Sequence, residues 1–173
     1  MIAQSPLFST VTRGRTELES QQIKQAGLKV TLPRVKILQL LEASDKRHVG
    51  AEDVYRMLLD QGDEIGLATV YRVLTQFEAA GLVIRHNFEG GRSVFELNDE
   101  SHHDHMVCLE CGRVFEFFDR TIEDRQKQIA GEAGFAIDDH SLYLYGVCEG
   151  FRDSGVCSWS EQPDKGIFRL KHK

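Results

Sequence analysis

The sequence lacks a long apolar run, an export signal and a surplus of positive charge, and each absence excludes a class of protein. Its 173 residues contain no uninterrupted apolar run near the ~18 residues that a membrane span needs. In residues 1–14 the basic residue follows the apolar residues, whereas a secretory signal places its positive charge first. The sequence therefore predicts a cytoplasmic protein with no membrane partner.

The net charge of −6 argues against a nucleic-acid partner until its distribution along the chain is considered. Residues 1–98 carry 12 basic and 12 acidic side chains, whereas residues 99–173 carry 9 and 15. Within the neutral half, residues 11–36 contain six basic residues against two glutamates. The first half can therefore present a positive face to phosphate, although a solvated helix face explains the same charges equally well.

The most distinctive stretch is residues 102–111, which combines three histidines, an aspartate and a Cys-x-x-Cys pair. Histidine, carboxylate and thiolate are the ligands of zinc and ferrous iron. On an extended strand alternate side chains point to opposite faces, so this stretch can serve two metal sites. The pairs are His102 with Asp104, and His103 with His105. A solvated polar turn is the alternative. Without an export signal, metal ligation also accounts for the four cysteines better than disulfides do.

The pattern of the first half predicts helices followed by a hairpin. Helices are predicted over residues 20–26, 31–43, 51–59 and 67–77, and strands over 82–86 and 93–97. In the last helix the apolar residues share one face, which leaves Thr69, Arg72 and Gln76 on the exposed face. Three helices and a two-stranded hairpin are the layout of a winged helix-turn-helix, whose third helix enters the DNA major groove. Three-helix packing without a DNA role is the alternative.

The second half predicts a small α/β domain. Strands are predicted over residues 102–109, 113–117 and 141–147, and a helix capped by Asp119 over 120–133, with Ile122, Ile129 and Ala133 on its inner side. So small a sheet leaves an edge or apolar surface exposed, which a second copy of the chain would cover. The predicted divisions are a flexible N-terminal arm (1–19), a DNA-binding domain (20–97), a linker (98–101), a metal-binding domain (102–150) and a loosely ordered C-terminal tail (151–173).

Six short motifs follow one another in a fixed order along the chain. They are GLKVTLPR at 27–34, EIGLATVYRVL at 64–74, RHNFEGG at 85–91, HHDH at 102–105, Cys108-x-x-Cys111 and HSLYLYG at 140–146. Together they resemble the ferric uptake regulator family, most closely its proteobacterial members, over about residues 22–148. The resemblance implies an α+β fold, in which an N-terminal winged helix-turn-helix domain is followed by a small C-terminal α/β dimerisation domain.

The resemblance also implies roles for individual residues. A sensory metal site falls on His48, Glu96, His103, His105 and Glu116. A second metal site falls on His102, Asp104, Glu123 and His140. Structural zinc is implied at Cys108, Cys111 and Cys148. The family's second cysteine pair is closely spaced, whereas here eight residues separate Cys148 from Cys157, which leaves the role of Cys157 open. DNA contacts fall on Lys29, Ala68, Thr69, Tyr71 and Arg72.

The function implied by the resemblance is Fe(II)-dependent repression of iron-uptake genes. A homodimer would bind an A·T-rich palindromic operator in double-stranded DNA, with assembly above the dimer left open. Mn(II) or Co(II) would substitute for Fe(II), and Zn(II) would fill the cysteine site. Glutamate at both sensory carboxylate positions favours iron sensing over peroxide sensing, for which aspartate is typical. Zinc- or peroxide-responsive regulation is the alternative within the family.

An alternative of a different class is a zinc-dependent hydrolase that uses the histidine cluster, with Glu116 or Glu123 as general base. Catalytic zinc needs an open coordination position in a pocket. The sequence carries no signal for a substrate pocket, and an enzyme has no use for the polar face of the helix over 67–77. We therefore expect no enzymatic activity.

Overall fold

The structure, a computed structural model, describes residues 7–89, 93–99, 101–157 and 168–169. The chain divides into two compact units. The first is Met1–Asn87 with Gly91–Asp99, and the second is Phe88–Gly90 with Glu100–Lys173. Predictions for residues 1–6, 90–92, 100, 158–167 and 170–173 lie outside the described residues.

Four helices make up most of the first unit. They are α1 (Leu7–Gln25), α2 (Leu32–Ala43), α3 (Ala51–Asp60) and α4 (Leu67–Ala79). The last three lie within two residues of their predicted bounds. Their apolar faces meet in one core, whose fully buried members include Ile37, Leu38, Val54, Leu58, Leu74 and Phe77. Because this core fixes one face of α4, the polar face of that helix is left outside.

Helix α1 is much longer than the helix predicted over residues 20–26. The prediction of a flexible arm is therefore wrong for residues 7–19, which are helical. The apolar spacing misses this helix because few side chains are buried in residues 16–25, the part whose burial is described: Ile23 and Glu19 are fully buried, whereas Leu18 is 63% exposed. Its Glu, Leu, Gln and Lys residues favour helix through intrinsic propensity, which an apolar stripe does not record.

A small sheet completes the first unit. Strands β1 (Val83–Asn87) and β2 (Ser93–Leu97) pair antiparallel as the predicted hairpin. Val49, in the loop between α2 and α3, pairs with Phe95 of β2 through two backbone hydrogen bonds of 3.0 and 2.9 Å. Three helices with this hairpin confirm the predicted winged helix-turn-helix.

Arg85 fixes the hairpin to helix α4. Its guanidinium donates to Thr75 Oγ1 at 3.0 Å and lies 2.9 Å from Glu78 Oε2, both on α4. The same group lies over the Phe95 ring, 5.0 Å from its centroid. Strand and helix are thereby held together by polar contacts as well as by the core.

The second unit is built on a four-stranded sheet in the order β5-β3-β4-β6. The strands are β3 (Asp104–Cys108), β4 (Val114–Phe118), β5 (Tyr143–Gly146) and β6 (Phe168–Arg169). β3 and β4 are antiparallel, whereas β5 runs parallel to β3 and β6 parallel to β4. The three predicted strands are present, and β6 adds a strand from the predicted tail.

Helix α5 (Arg120–Glu132) follows β4 and begins as predicted. The Asp119 side chain caps it by accepting hydrogen bonds from the backbone N–H groups of Thr121 and Ile122, at 2.8 and 3.2 Å. The predicted inner side is wrong, because Glu123 is the buried residue of this fully described helix and Ile129 is 51% exposed. The helix therefore turns a carboxylate, not an apolar stripe, toward the interior.

The predicted tail also contains regular structure. Helix α6 (Glu149–Ser154) follows Cys148 and ends at Gly155, whose φ of 69° is left-handed. Cys157, two residues later, is buried. Within the described residues no helix is both long and apolar enough to cross a membrane.

Candidate functional site

The exposed face of helix α4 carries the side chains predicted to contact DNA. The exposed residues are Ala68, Thr69, Tyr71 and Arg72. Gln76 differs from the prediction, because it is half-buried and its Oε1 accepts a hydrogen bond of 2.8 Å from Arg34 Nη2. The exposed residues that are predicted to contact DNA therefore lie in the N-terminal part of α4.

Tyr71 is held in place by a neighbour on α3. Its hydroxyl donates a hydrogen bond of 2.6 Å to Glu52 Oε1. This hydrogen bond, followed by burial and the negative charge of Glu52, raises the pKa of Tyr71, so the phenol stays protonated and acts as a donor. Lys29, predicted to enter the minor groove, is exposed just before α2, and its carbonyl accepts a hydrogen bond from Arg34.

The first unit holds two of the predicted sensory ligands side by side. The backbone pairing of Val49 with Phe95 places His48 next to Glu96, whose carboxylate is 2% exposed. His48 Nε2 lies 3.2 Å from Glu96 Oε2. The second oxygen, Oε1, lies 2.9 Å from Nε2 of His86, which belongs to neither predicted metal site. One buried carboxylate is thus shared by two buried imidazoles.

The second unit holds the other three predicted sensory ligands. His105 on β3 lies opposite Glu116 on β4 in the strand register. His103 Nε2 lies 3.9 Å from Glu116 Oε1, and the rings of His103 and His105 are 4.9 Å apart. His103 Nδ1 lies 2.8 Å from the Ser101 carbonyl, which can only accept, so Nδ1 carries the proton. That tautomer leaves Nε2 with a lone pair for a metal ion.

The predicted second metal site is a cluster on one side of the same sheet. One ligand atom from each of four residues lies within 4.8 Å of the others: His102, Asp104, Glu123 and His140. Both His102 Nε2 and His140 Nε2 lie 3.2 Å from Glu123 Oε1. Strand β3 contributes Asp104 and helix α5 contributes Glu123, which explains why the helix buries a carboxylate.

The environment of Asp104 fits a cation. Its side chain is 1% exposed, and no hydrogen bond of normal geometry reaches either carboxylate oxygen among the described residues. Burial raises the pKa of Asp104, and the nearby Glu123 charge adds to that effect, while the two histidines and the backbone N–H of Leu142 oppose it. A buried carboxylate with so little hydrogen bonding is costly, and a divalent cation would remove that cost.

The cysteines form a third cluster, beside the end of β3. Ligand sulfurs of Cys108, Cys111 and Cys148 lie within 4.8 Å of one another, and all four cysteines are free thiols. Cys148 Sγ lies 4.0 Å from Cys111 Sγ and 3.8 Å from Cys157 Sγ. Tetrahedral zinc with Zn–S bonds of about 2.3 Å separates its sulfurs by about 3.8 Å, which matches both distances. Helix α6 and the left-handed Gly155 return the chain to this cluster despite the long spacing.

The chemistry of these thiols also suits zinc. Burial raises the pKa of Cys108, but three backbone N–H groups, that of Cys148 at 3.4 Å among them, together with the Cys111 thiol outweigh burial and lower the pKa to about 7. Burial, together with the neighbouring thiols, raises the pKa of Cys111 to about 12. One sulfur is therefore prepared as a thiolate, while another needs a cation to become one.

Sequence reasoning missed two residues of these clusters. His86 lies in the RHNFEGG motif at 85–91, and its place in that motif was the signal for a role. The spacing of Cys157 from Cys148 departs from the family pattern, yet Cys157 is the fourth of an even number of cysteines, which is a signal for a role. The structure brings both next to predicted ligands, His86 to Glu96 and Cys157 to Cys148.

The fold and these clusters define a class, that of two-domain winged-helix proteins with ligand sets for transition metals. Within that class, the sequence matches the Ferric uptake regulator family over residues 25–145. The match spans more than half of the chain, and curated relatives agree with it. The chain belongs to the Ferric uptake regulator family.

Three relatives illustrate the likeness. The Ferric uptake regulation protein of Legionella pneumophila is 65% identical over 130 residues, which cover 75% of this chain and 96% of the relative. The Vibrio cholerae ferric uptake regulator is 60% identical, with a TM-score of 0.71 over 75% of this chain and 98% of that one, and its crystal structure shows a rearrangement of its DNA-binding domains. The Francisella tularensis regulator, whose structure is with iron, is 44% identical with a TM-score of 0.70 over 73% and 96%. Such proteins are regulators, so this chain is a regulator and not an enzyme.

Proposed function

We propose that the protein is an Fe(II)-dependent transcriptional repressor of iron-uptake genes, acting in the cytoplasm as a homodimer on A·T-rich palindromic operators. One observation carries the proposal: the winged-helix unit itself contains a buried imidazole and a buried carboxylate, those of His48 and Glu96, 3.2 Å apart, and these are side-chain types that bind metal ions. Glu96 lies on the hairpin that Arg85 fixes to α4. A change in ligation at Glu96 can therefore affect α4, the recognition helix, through the hairpin and its contacts from Arg85.

The sensory ligand set combines residues of both units. His48 and Glu96 come from the first unit, and His103, His105 and Glu116 come from the second. Support comes from the burial of Glu96 and Glu116 and from the tautomer of His103, which suit metal ligation. When bound, the ion would be held by the imidazole and carboxylate groups of this set. Histidine and carboxylate ligands suit Fe(II), with Mn(II) or Co(II) as substitutes.

The remaining clusters have separate roles in this proposal. His102, Asp104, Glu123 and His140 form a second metal site within the second unit. Cys108, Cys111 and Cys148 hold structural Zn(II), and the sulfur distance of 3.8 Å supports Cys157 as the fourth ligand. Thiolate-bound zinc contributes directly to folding, because the unfolded chain has no preformed site.

DNA contacts are proposed for Lys29 and for the exposed residues Ala68, Thr69, Tyr71 and Arg72. Arginine can contact a guanine edge or phosphate, and the tyrosine ring can contact a thymine methyl. Lys29 would meet the enhanced negative potential of a narrow A·T-rich minor groove. The Glu52 hydrogen bond supports the proposal for Tyr71, because it fixes the ring on the exposed face.

The homodimer is supported by apolar surface on the second unit. Met106, Leu144, Tyr145 and Val147 are 37%, 42%, 37% and 44% exposed. Met106 and Leu144 are register partners on the neighbouring strands β3 and β5, so they share one face of the sheet, whereas Tyr145, next to Leu144, points to the opposite face. A second copy of the chain would cover this surface, and a two-fold dimer matches a palindromic operator.

Arg72→Ala is expected to weaken operator binding by ~1–3 kcal/mol, because the exposed guanidinium would lose a specific contact. This corresponds to a roughly 5- to 150-fold increase in Kd. Metal content and dimerisation should stay as in the wild type. Fluorescence anisotropy with a labelled operator duplex and metal-loaded protein measures the change.

The matched control for this experiment is Arg120→Ala on α5, which removes the same charge from a side chain that is 82% exposed. It should change Kd by less than about twofold, because the residue lies in the other unit and its exposed ion pair contributes little. An equal loss of operator affinity in both variants would show that the effect comes from the change in net charge and not from a specific contact of Arg72. Unfolding of Arg72→Ala would contradict the orientation of α4.

A further inference from the structure

We infer that His86 is a positioning residue for the sensory metal site: it holds the Glu96 carboxylate in the orientation that binds the activating metal ion. The inference rests on the proposed function, because it takes Glu96 as a sensory ligand. His86 lies in the RHNFEGG motif at 85–91 but belongs to neither predicted metal site. Its basis is the hydrogen bonding around Glu96 in the first unit.

The two oxygens of Glu96 have different partners. Oε1 lies 2.9 Å from His86 Nε2, and Oε2 lies 3.2 Å from His48 Nε2. An ionised carboxylate can only accept hydrogen bonds, so the facing nitrogen of each imidazole carries the proton when it bonds to Glu96. His86 and Glu96 are 8% and 2% exposed at their side chains, so water competes little for these bonds.

Metal ligation would affect the hydrogen bonds of His48 and His86 differently. As a metal ligand, His48 would give up its Nε2 proton or turn its ring, and its hydrogen bond to Oε2 would be lost. His86 is not a ligand in this proposal, so it can keep its Nε2 proton and its hydrogen bond to Oε1 while Oε2 faces the metal ion. Ligating carboxylates are commonly held in this way by a hydrogen bond to the other oxygen, which limits their rotation.

The hairpin fixes His86 in this position. In the register of β1 and β2, His86 lies opposite Val94 and Glu96 lies opposite Ile84, so His86 and Glu96 are diagonal cross-strand neighbours. Such neighbours are within reach of long side chains on one face of a strand pair. The His86 ring also stands edge-on to the His48 ring at 5.8 Å. Backbone pairing therefore sets the position of the donor before any metal binds.

The test measures the Mn(II) concentration that gives half-maximal binding to a labelled duplex carrying an A·T-rich palindrome, using the full-length zinc-containing protein. His86→Leu, which cannot donate, should need about 10- to 100-fold more Mn(II), the usual effect of losing a partner of a metal ligand. His86→Gln, whose amide can replace imidazole Nε2 as donor, should stay within about threefold. At saturating Mn(II) all variants should bind the duplex as tightly as the wild type.

Two further variants make the outcome decisive. His86→Asn is polar like Gln but too short to reach Glu96, so it should behave as His86→Leu does and replaces it if the leucine variant fails to fold, as judged by a thermal melt. His103→Ala reports on the sensory assignment itself. If His103→Ala responds to Mn(II) as the wild type does, the proposed function fails and the inference falls with it.

If His103→Ala has lost the response, the His86 variants decide the inference alone. The inference is supported if His86→Leu or His86→Asn needs more Mn(II) for half-maximal DNA binding and His86→Gln does not. At saturating Mn(II) all of these variants should then bind the duplex as the wild type does. The inference is overturned by unchanged Mn(II) dependence in the leucine and asparagine variants. It is also overturned if His86→Gln is as impaired as they are, or if saturating Mn(II) does not restore binding, since His86 would then act as a ligand or as part of the fold.

Discussion

Replacing Cys108 by serine is expected to lower the thermal midpoint of the protein and to impair its dimerisation. The Cys108 sulfur is buried and is prepared as a thiolate by backbone N–H groups, and its cluster has the sulfur spacing of tetrahedral zinc. Loss of a structural metal belongs to the changes that exceed about 4 kcal/mol. For a chain of this size that corresponds to roughly 10 °C or more in Tm.

Zinc analysis, a thermal melt and sedimentation on the same preparations measure this outcome. Stripping zinc from the wild type with a chelator under reducing conditions is the control, because it removes the metal and keeps the cysteine side chain. Stripped wild type should melt near Cys108→Ser. A Cys108→Ser variant that remains dimeric and melts like the zinc-loaded wild type would contradict a structural zinc site.

His103→Ala should leave a folded, zinc-containing dimer that no longer gains operator affinity on addition of Fe(II). The residue contributes a buried imidazole whose Nδ1 proton is committed to the Ser101 carbonyl at 2.8 Å, which makes Nε2 the ligand atom. Losing a ligand should cost more than losing its hydrogen-bond partner, so the Fe(II) requirement should rise beyond about 100-fold. An anaerobic gel shift over a range of Fe(II) concentrations measures it.

The matched control is the neighbouring His102→Ala, which removes the same side chain from the second metal cluster. His102 Nε2 lies 3.2 Å from Glu123 Oε1, and the His102 ring is 4.2 Å from the His140 ring, centroid to centroid. This variant should stay within a few-fold of wild type in its Fe(II) requirement. A His103→Ala protein that responds to Fe(II) at wild-type concentrations would remove the sensory assignment.

The predictable part of the fold is where local pattern and tertiary packing agree. Helix α4 has a full apolar stripe, ending with Phe77, and its predicted bounds hold to within two residues. The Asp119 cap was also predictable, because its side chain bonds to the backbone of the next residues along the chain. In such segments the contacts that form the structure lie close together in sequence.

The unpredicted parts depend on contacts between distant residues. In residues 16–25 of helix α1 the buried side chains are those of Glu19 and Ile23, so this part of the sequence shows little apolar period. Helix α5 turns Glu123 inward because a histidine from before β3 and another from after the helix meet it, while Ile129 stays exposed. Apolar spacing cannot anticipate a helix face selected by polar partners.

The same distinction between local pattern and distant contacts applies to the candidate sites. Alternation along residues 102–105 separates two ligand pairs from sequence alone, since it needs only local strand geometry. The pairing of His86 with Glu96 depends on hairpin register, and that of Cys157 with Cys148 depends on helix α6 and Gly155. These partners come into contact only once the chain is folded, so spacing along the sequence does not reveal them.

The central claim, that metal binding controls DNA binding, is tested most directly by operator affinity measured anaerobically with Fe(II) and then with excess chelator. Parallel titrations with Mn(II) and Zn(II) compare the metals on the same A·T-rich palindromic duplex. We expect Fe(II) to raise operator affinity by about 5- to 150-fold, the usual range of coupling between two sites, and the chelator to reverse it. Equal affinity with and without metal would contradict the account.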